Sequence, residues 1–131
     1  MLNELTRISI NLRMEKSYKC LQASETLLSA EQYADSANRS YYAIFHAMQA
    51  VLITIGFSSK THSGNIAEFR KSFVKPGLIP HKCSDIVGNA FTVRNKSDYD
   101  IYYVAVKSEV ALQHENAKIF IAAVEAYIET L

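Results

Sequence analysis

The run from Gln32 to Gly56 constrains this chain more than any other stretch. Apolar or aromatic side chains fall at Tyr33, Ala37, Tyr41, Ile44, Phe45, Met48, Leu52 and Ile55. Gaps of three and four place them on one face of an α-helix. No proline interrupts the run, and Gly56 stands where a helix stop is expected. A second row, Asn38, Tyr42 and His46, steps by four along the same helix with Arg39 beside it. Between Ser40 and Ile55 there is no Asp, Glu, Lys or Arg. A helix without a charged face expects protein on both sides, and a covered polar row must find hydrogen-bond partners. The expectation is that a second polar cluster downstream supplies them, and that the two clusters line one site.

The remainder reads as further helices. Two prolines and four glycines punctuate 131 residues too rarely for a turn-rich β protein. Glu4 to Ala30 is a long helix with Asn3 as its cap. Its apolar stripe is Leu5, Ile8, Leu12, Tyr18, Leu21, Leu27 and Leu28, opposite a wet face carrying Arg7, Arg13, Glu15, Lys16, Lys19 and Glu25. A short break near Ser29 to Gln32 makes the first two helices antiparallel neighbours. Asn65 to Val74 is a shorter helix stopped by Lys75-Pro76-Gly77, and Ser84 to Ser97 is a fourth. A last helix runs from a Ser108 cap to Thr130, with Val110, Leu112, Phe120, Ile121, Val124 and Ile128 inward. Ile101-Tyr102-Tyr103-Val104 has no second strand to pair with. The fold class is all-α: an up-and-down antiparallel bundle of four main helices plus a short extra one, in a single domain over residues 1–131.

Several function classes drop out. A net charge of +1 shows no overall basic excess. A local one exists from Lys60 to Lys82, where Lys60, Arg70, Lys71, Lys75 and Lys82 face a single acid, Glu68. Charged and polar residues interrupt the first residues too early for a signal peptide. The most apolar window, Tyr41 to Phe57, holds His46 and Gln49 and is too short to span a membrane. Cys20 and Cys83 stand alone, as free thiols of a reducing cytoplasm. His46, His62, His81 and His114 show no metal-ligand spacing, so neither metal nor cofactor is implied. Lys60-Thr61 superficially matches a phosphate-binding loop, but Thr54 and Ser59 occupy its glycine positions. Two readings stay open there. Lys60, His62 and helix-start amides hold a phosphate, or Thr61 or Ser63 simply caps the next helix.

The downstream polar cluster is Arg94-Asn95-Lys96-Ser97-Asp98-Tyr99-Asp100. Arg94 ends an apolar helix, where a guanidinium needs a partner or a cleft. It either forms an internal ion pair with Asp98, or grips a phosphate bidentately with Tyr42 or Tyr99 stacking or hydrogen-bonding.

Three blocks carry a resemblance: Asn38-Arg39-Ser40-Tyr41-Tyr42-Ala43-Ile44-Phe45-His46-Ala47, Lys60-Thr61-His62-Ser63-Gly64 and Arg94-x-x-Ser97-Asp98-Tyr99. Together they resemble the signature of a prokaryotic HEPN-domain family (higher eukaryotes and prokaryotes nucleotide-binding), over about Tyr18 to Leu131. The resemblance implies a HEPN-like helical bundle, a homodimer with a cleft between protomers, and RNA or a nucleotide as ligand. It also implies a minimal nucleotidyltransferase as partner, in a toxin–antitoxin or defence module. Family members resemble metal-independent RNases whose Arg is followed, after four to six intervening residues, by a His. Arg balances charge on the phosphate, and His moves the proton of the ribose 2′-hydroxyl. Here those positions hold Tyr99, Asp100 and Ile101, so cleavage requires His46 or His62 to sit beside Arg94. On this reading Arg94, Asp98 and Tyr99 are the catalytic candidates, and Asn38, Arg39, Tyr42, His46, Lys60 and His62 bind the nucleotide or phosphate. A non-catalytic helical dimer that serves as an interaction module is the alternative.

Overall fold

The computed structural model describes residues 2–131. Its helices are α1 (Glu4–Ser29), α2 (Tyr33–Ile53), α3 (His62–Phe69), α4 (Lys82–Tyr99) and α5 (Lys107–Ile128), and no strand occurs among the described residues. The four long helices form the bundle and α3 is the short extra one. α2 is central and packs on all four others. Tyr41, Ile44, Met48, Val51 and Leu52 of α2 meet Phe69, Phe73, Val87, Phe120 and Val124 in the core. No helix among the described residues is long and apolar enough to cross a membrane.

The side chain of Asn3 accepts from the Thr6 amide at 2.8 Å and caps α1. α1 ends in a reverse turn in which the Gln32 amide donates to Leu27 and the Glu31 amide to Leu28. Glu31 takes φ 61° there, a position usually given to glycine. Gly56 fills the matching position after α2 at φ 69°. Thr61 caps α3 by accepting from the Gly64 amide. α3 therefore starts at His62, inside the expected loop, and the buried Asn65 side chain holds the carbonyls of Ser59 and Thr61. A single wide π turn, Arg70–Val74, extends it.

The seam between α1 and α2 departs from the expected stripe. Leu5, Ile8, Leu12 and Tyr18 are 76%, 47%, 56% and 43% exposed. Ile10, Met14, Ser17 and Ser24 are buried instead, against Ser36, Ser40, Ala43, Ala47 and Ala50 of α2. Small residues at four- and three-residue steps let the two backbones approach closely. Close approach allows direct bonds between helices. Ser17 Oγ donates to the Ala43 carbonyl at 2.6 Å and Ser36 Oγ to the Ser24 carbonyl at 2.8 Å. Ser24 Oγ also lies 2.5 Å from Ser40 Oγ and 2.9 Å from His114 Nδ1 of α5.

Three further expectations need correction. Ile55 and Leu112 are exposed, because the chain leaves α2 before Ile55 and Leu112 lies on the outer side of α5. Ser108 is not a cap: α5 starts one residue earlier, after an extended Val106. α4 continues through Tyr99, so Arg94, Asp98 and Tyr99 are helical neighbours rather than a segment beyond the helix. Ile101 to Val104 is a connection with Ile101 and Tyr102 turned outward. Cys20 and Cys83 are buried free thiols.

Candidate functional site

Arg94 projects from the last turns of α4 onto the aromatic flank of α2. Its side chain is 13% exposed. One terminal nitrogen, Nη2, donates to Tyr42 Oη at 3.0 Å and reaches Tyr99 Oη at 3.5 Å, while Nη1 donates to Asn95 Oδ1 at 3.1 Å. Nε lies 3.1 Å from Asp98 Oδ2, one helical turn on, as an ion pair rather than an aligned hydrogen bond. The guanidinium carbon sits 5.7, 5.4 and 5.4 Å from the rings of Tyr41, Tyr42 and Tyr99. A cation over three ring faces is held electrostatically as well as by its hydrogen bonds.

The expected convergence of the two clusters is a feature of this geometry. Asn38 Nδ2 donates to Asp98 Oδ2 at 2.9 Å and so ties α2 to α4. Asn38 Oδ1 in turn accepts from Arg39 Nε at 3.0 Å and Nη2 at 2.7 Å. The Arg39 guanidinium lies 5.2 Å from the Tyr42 ring. Arg39, Asn38, Asp98 and Arg94 thus form one chain, with Tyr42 between the two guanidinium groups. Asp98 pairs with Arg94 alone and reaches Arg39 only through the Asn38 amide, so the positive charge of Arg39 has no carboxylate against it.

The two histidines take different places. His62, the first residue of α3, stacks on Phe45 at 4.5 Å between ring centroids and places Nδ1 2.6 Å from Tyr41 Oη. Tyr41 is buried, and burial pushes its phenol above its ordinary value, so the hydroxyl keeps its proton and hydrogen-bonds with His62 Nδ1. His62 Nε2 has no partner among the described residues. Burial, and then the charge of Arg94, lower the His62 pKa. His46 points the other way, toward α1. Arg13 Nη1 donates to His46 Nδ1 at 3.3 Å. Burial, followed by the charges of Arg13 and Lys16, lowers the His46 pKa to about 4. Lys60 is exposed and forms no hydrogen bond or ion pair among the described residues.

Arg94, Asp98, Tyr99, Asn38, Arg39 and Tyr42 therefore meet, His62 joins them beside Tyr41 and Tyr42, His46 borders Tyr42 at 6.2 Å between ring centroids but bonds to Arg13, and Lys60 stands apart. Sequence reasoning assigned Tyr41 only to the core stripe. It also missed Asn95, whose spacing beside Arg94 gave no separate signal, and Arg13, which it placed on a solvated face. Among the described residues, no three His, Cys, Asp or Glu side chains come close enough to hold a metal ion.

Known proteins share this arrangement of helices. The crystal structure of TT1696 from Thermus thermophilus has the same fold, with a TM-score of 0.77 at 14% identity over 90% of this chain and 97% of that one. A Methanocaldococcus jannaschii protein named "Putative toxin MJ0142" is 30% identical over 115 residues, covering 88% of this chain and 78% of its own length. A UPF0332 protein of Thermotoga maritima is 29% identical over 130 residues, covering 99% and 92%. Residues 10–131, with α2 and the Arg94 helix inside them, match the HEPN domain, and the chain belongs to that family.

Proposed function

We propose that this protein is a toxin-type HEPN protein that binds RNA through the Arg94 cluster, as a homodimer paired with a minimal nucleotidyltransferase. Two relatives, both from Methanocaldococcus jannaschii, carry the word toxin in their names, which supports the toxin part of the reading. The observation that carries RNA binding is the Arg94–Tyr42–Arg39 arrangement. Two guanidinium groups flank one phenol, and only that of Arg94 is paired with a carboxylate. A phosphodiester entering there meets fork-shaped donors and aromatic faces for its bases.

Cleavage follows from the same groups. Arg94 offsets charge on the phosphoryl oxygens while the 2′-oxygen attacks phosphorus. The 2′-hydroxyl proton passes to Nε2 of a neutral His62 whose Nδ1–H donates to Tyr41 Oη, and a solvent proton goes to the 5′-oxygen as its bond to phosphorus breaks. Tyr41 Oη, by accepting from Nδ1–H, leaves the Nε2 lone pair free, and the lowered pKa keeps the ring neutral. This assigns to α3 the role that the usual downstream histidine has, where the present chain has Tyr99, Asp100 and Ile101.

One observation favours a second reading, a non-catalytic interaction module. Every nitrogen of Arg94 already has a protein partner. The test is RNA cleavage in the presence of a metal chelator by wild type, Arg94→Ala and Arg94→Lys, with thermal unfolding of each. Loss of the charge should lower cleavage by about two to three orders of magnitude, as for removal of one group that stabilises developing charge. The unfolding midpoint should fall by only a few degrees, because Asp98 keeps Asn38 and solvent. Absence of cleavage and of RNA binding in wild type, with a large drop in midpoint for Arg94→Ala, would instead favour the structural role.

A further inference from the structure

Outside the Arg94 cluster, a groove of about 530 Å³ runs along α1, lined by Ser9, Leu12, Arg13, Lys16 and Lys19 together with Ile53 of α2. Its charge is unbalanced. Glu15 is the one acid lining it. The ion pairs among the described residues are Arg94–Asp98 and Lys118–Glu115, so Arg13, Lys16, Lys19 and Arg39 have no acid within ion-pair distance. Uncompensated cations gathered on one surface raise a local positive potential and attract a polyanion. His46 responds to that potential: Arg13 donates to it, and the charges of Arg13, Lys16 and Arg39 all oppose its protonation.

Arg39 links this groove to the Arg94 cluster. Its Nη1 reaches Cys20 Sγ of α1 at 3.8 Å, one turn beyond Lys16, while its guanidinium carbon lies 5.2 Å from the Tyr42 ring, whose other cation is Arg94. Cations thus succeed one another from Lys19 and Lys16 through Arg39 to Arg94. From Arg13 to Lys19 the helix advances by about 9 Å at 1.5 Å per residue.

We propose that the α1 groove is a track for the phosphodiester backbone of single-stranded RNA, guiding the strand into the Arg94 cluster. The inference rests on the RNA-binding reading of that cluster and deepens it: the substrate is a strand several nucleotides long, not a mononucleotide. Contacts to backbone phosphate by Lys and Arg carry no sequence code, so the track adds affinity without adding sequence preference.

The test compares a fluorescent oligouridylate of about twelve nucleotides with a uridine dinucleotide, across a salt series, for wild type, Lys16→Gln/Lys19→Gln and Arg94→Lys. Lys16 and Lys19 are exposed, so their loss leaves the fold intact. Each lost phosphate contact should flatten the slope of log affinity against log salt by about 0.7 for a single strand, about 1.4 for the pair. Affinity for the dinucleotide should not change, and Arg94→Lys should weaken both ligands. An unchanged slope and affinity for the long strand in Lys16→Gln/Lys19→Gln overturns the track and leaves the Arg94 reading standing. A flattened slope with no effect of Arg94→Lys keeps the track and overturns the Arg94 reading. Binding of polyglutamate as tight as that of the oligouridylate, lost in the same double variant, overturns RNA as the occupant and assigns the groove to an acidic protein.

Discussion

Acidification should weaken this fold through His46 in a way that one substitution can isolate. The ring lies between α1 and α2, with Arg13 donating to Nδ1 at 3.3 Å and Lys16 and Arg39 nearby. Arginine cannot accept, so Nδ1 must be unprotonated, and protonating it would put a cation against a cation. The folded protein therefore refuses this proton down to about pH 4, whereas a free histidine accepts it at 6.5. Between those values unfolding takes up a proton. Stability is full above about pH 6.5, falls as the pH falls through the window, and stops changing below about pH 4. The whole interval would correspond to about 3 kcal/mol at 1.36 kcal/mol per pKa unit. The ring keeps partial contact with solvent, and screening reduces the expected figure to about 1.5 kcal/mol. Urea unfolding at about pH 7 and about pH 4.5 measures it, with His46→Gln as reference, because a glutamine oxygen still accepts from Arg13 and does not titrate. His62 and His114 are lowered in the same sense, chiefly by burial, and remain in both proteins. Wild type should lose about 1.5 kcal/mol more than His46→Gln on acidification. Parallel stability–pH curves for the two proteins would refute the placement of His46 in a field of three cations.

Two further outcomes follow from bonds described above. Ser24→Ala removes the hydroxyl that meets both Ser40 and His114, and His114 Nε2 already lacks a partner. It should cost about 1–3 kcal/mol in urea unfolding, and a loss near zero would mean that these groups do not depend on Ser24. Tyr41→Phe removes the hydroxyl that holds His62 Nδ1. An acceptor for Nδ1–H favours the charged ring most, so the NMR titration midpoint of His62, already lowered by burial and Arg94, should fall further, and a midpoint that rises would mean that Tyr41 donates and that His62 is no base.

The reach of sequence reasoning differs between the two long N-terminal helices. α2 was legible because Tyr41, Ile44, Phe45, Met48 and Leu52 are large, periodic and buried, so hydrophobicity and burial coincide. α1 was not, because the residues that face α2 are Ser17 and Ser24 as well as Ile10 and Met14. A stripe chosen by hydrophobicity follows Leu5, Ile8 and Leu12, which lie outside. Tight backbone approach selects small side chains whatever their polarity, and no periodicity of apolar residues reveals it. The meeting of Arg94 with Asn38 and Tyr42 was accessible for a related reason: a guanidinium and an amide on charge-poor helices each demand a partner. The turn of His46 toward Arg13, and of His62 toward Tyr41, depends on which neighbouring helix supplies the lone pair or donor. Neighbouring helices are set by packing across tens of residues, and spacing within one segment does not encode them.

The serine and alanine seam between α1 and α2 has a mechanical consequence. Slippage by one residue would translate a helix by about 1.5 Å and rotate it by about 100°. It would thrust a bulky side chain into a space that admits only a hydroxymethyl or methyl group. The pair can therefore hardly creep along its length, and Asn38, Arg39 and Tyr42 ride on a stiff rail whose alignment is fixed by the seam itself. Surface charges around Arg94 can then drift over evolutionary time and retune what is bound, while the spacing of the donors stays the same.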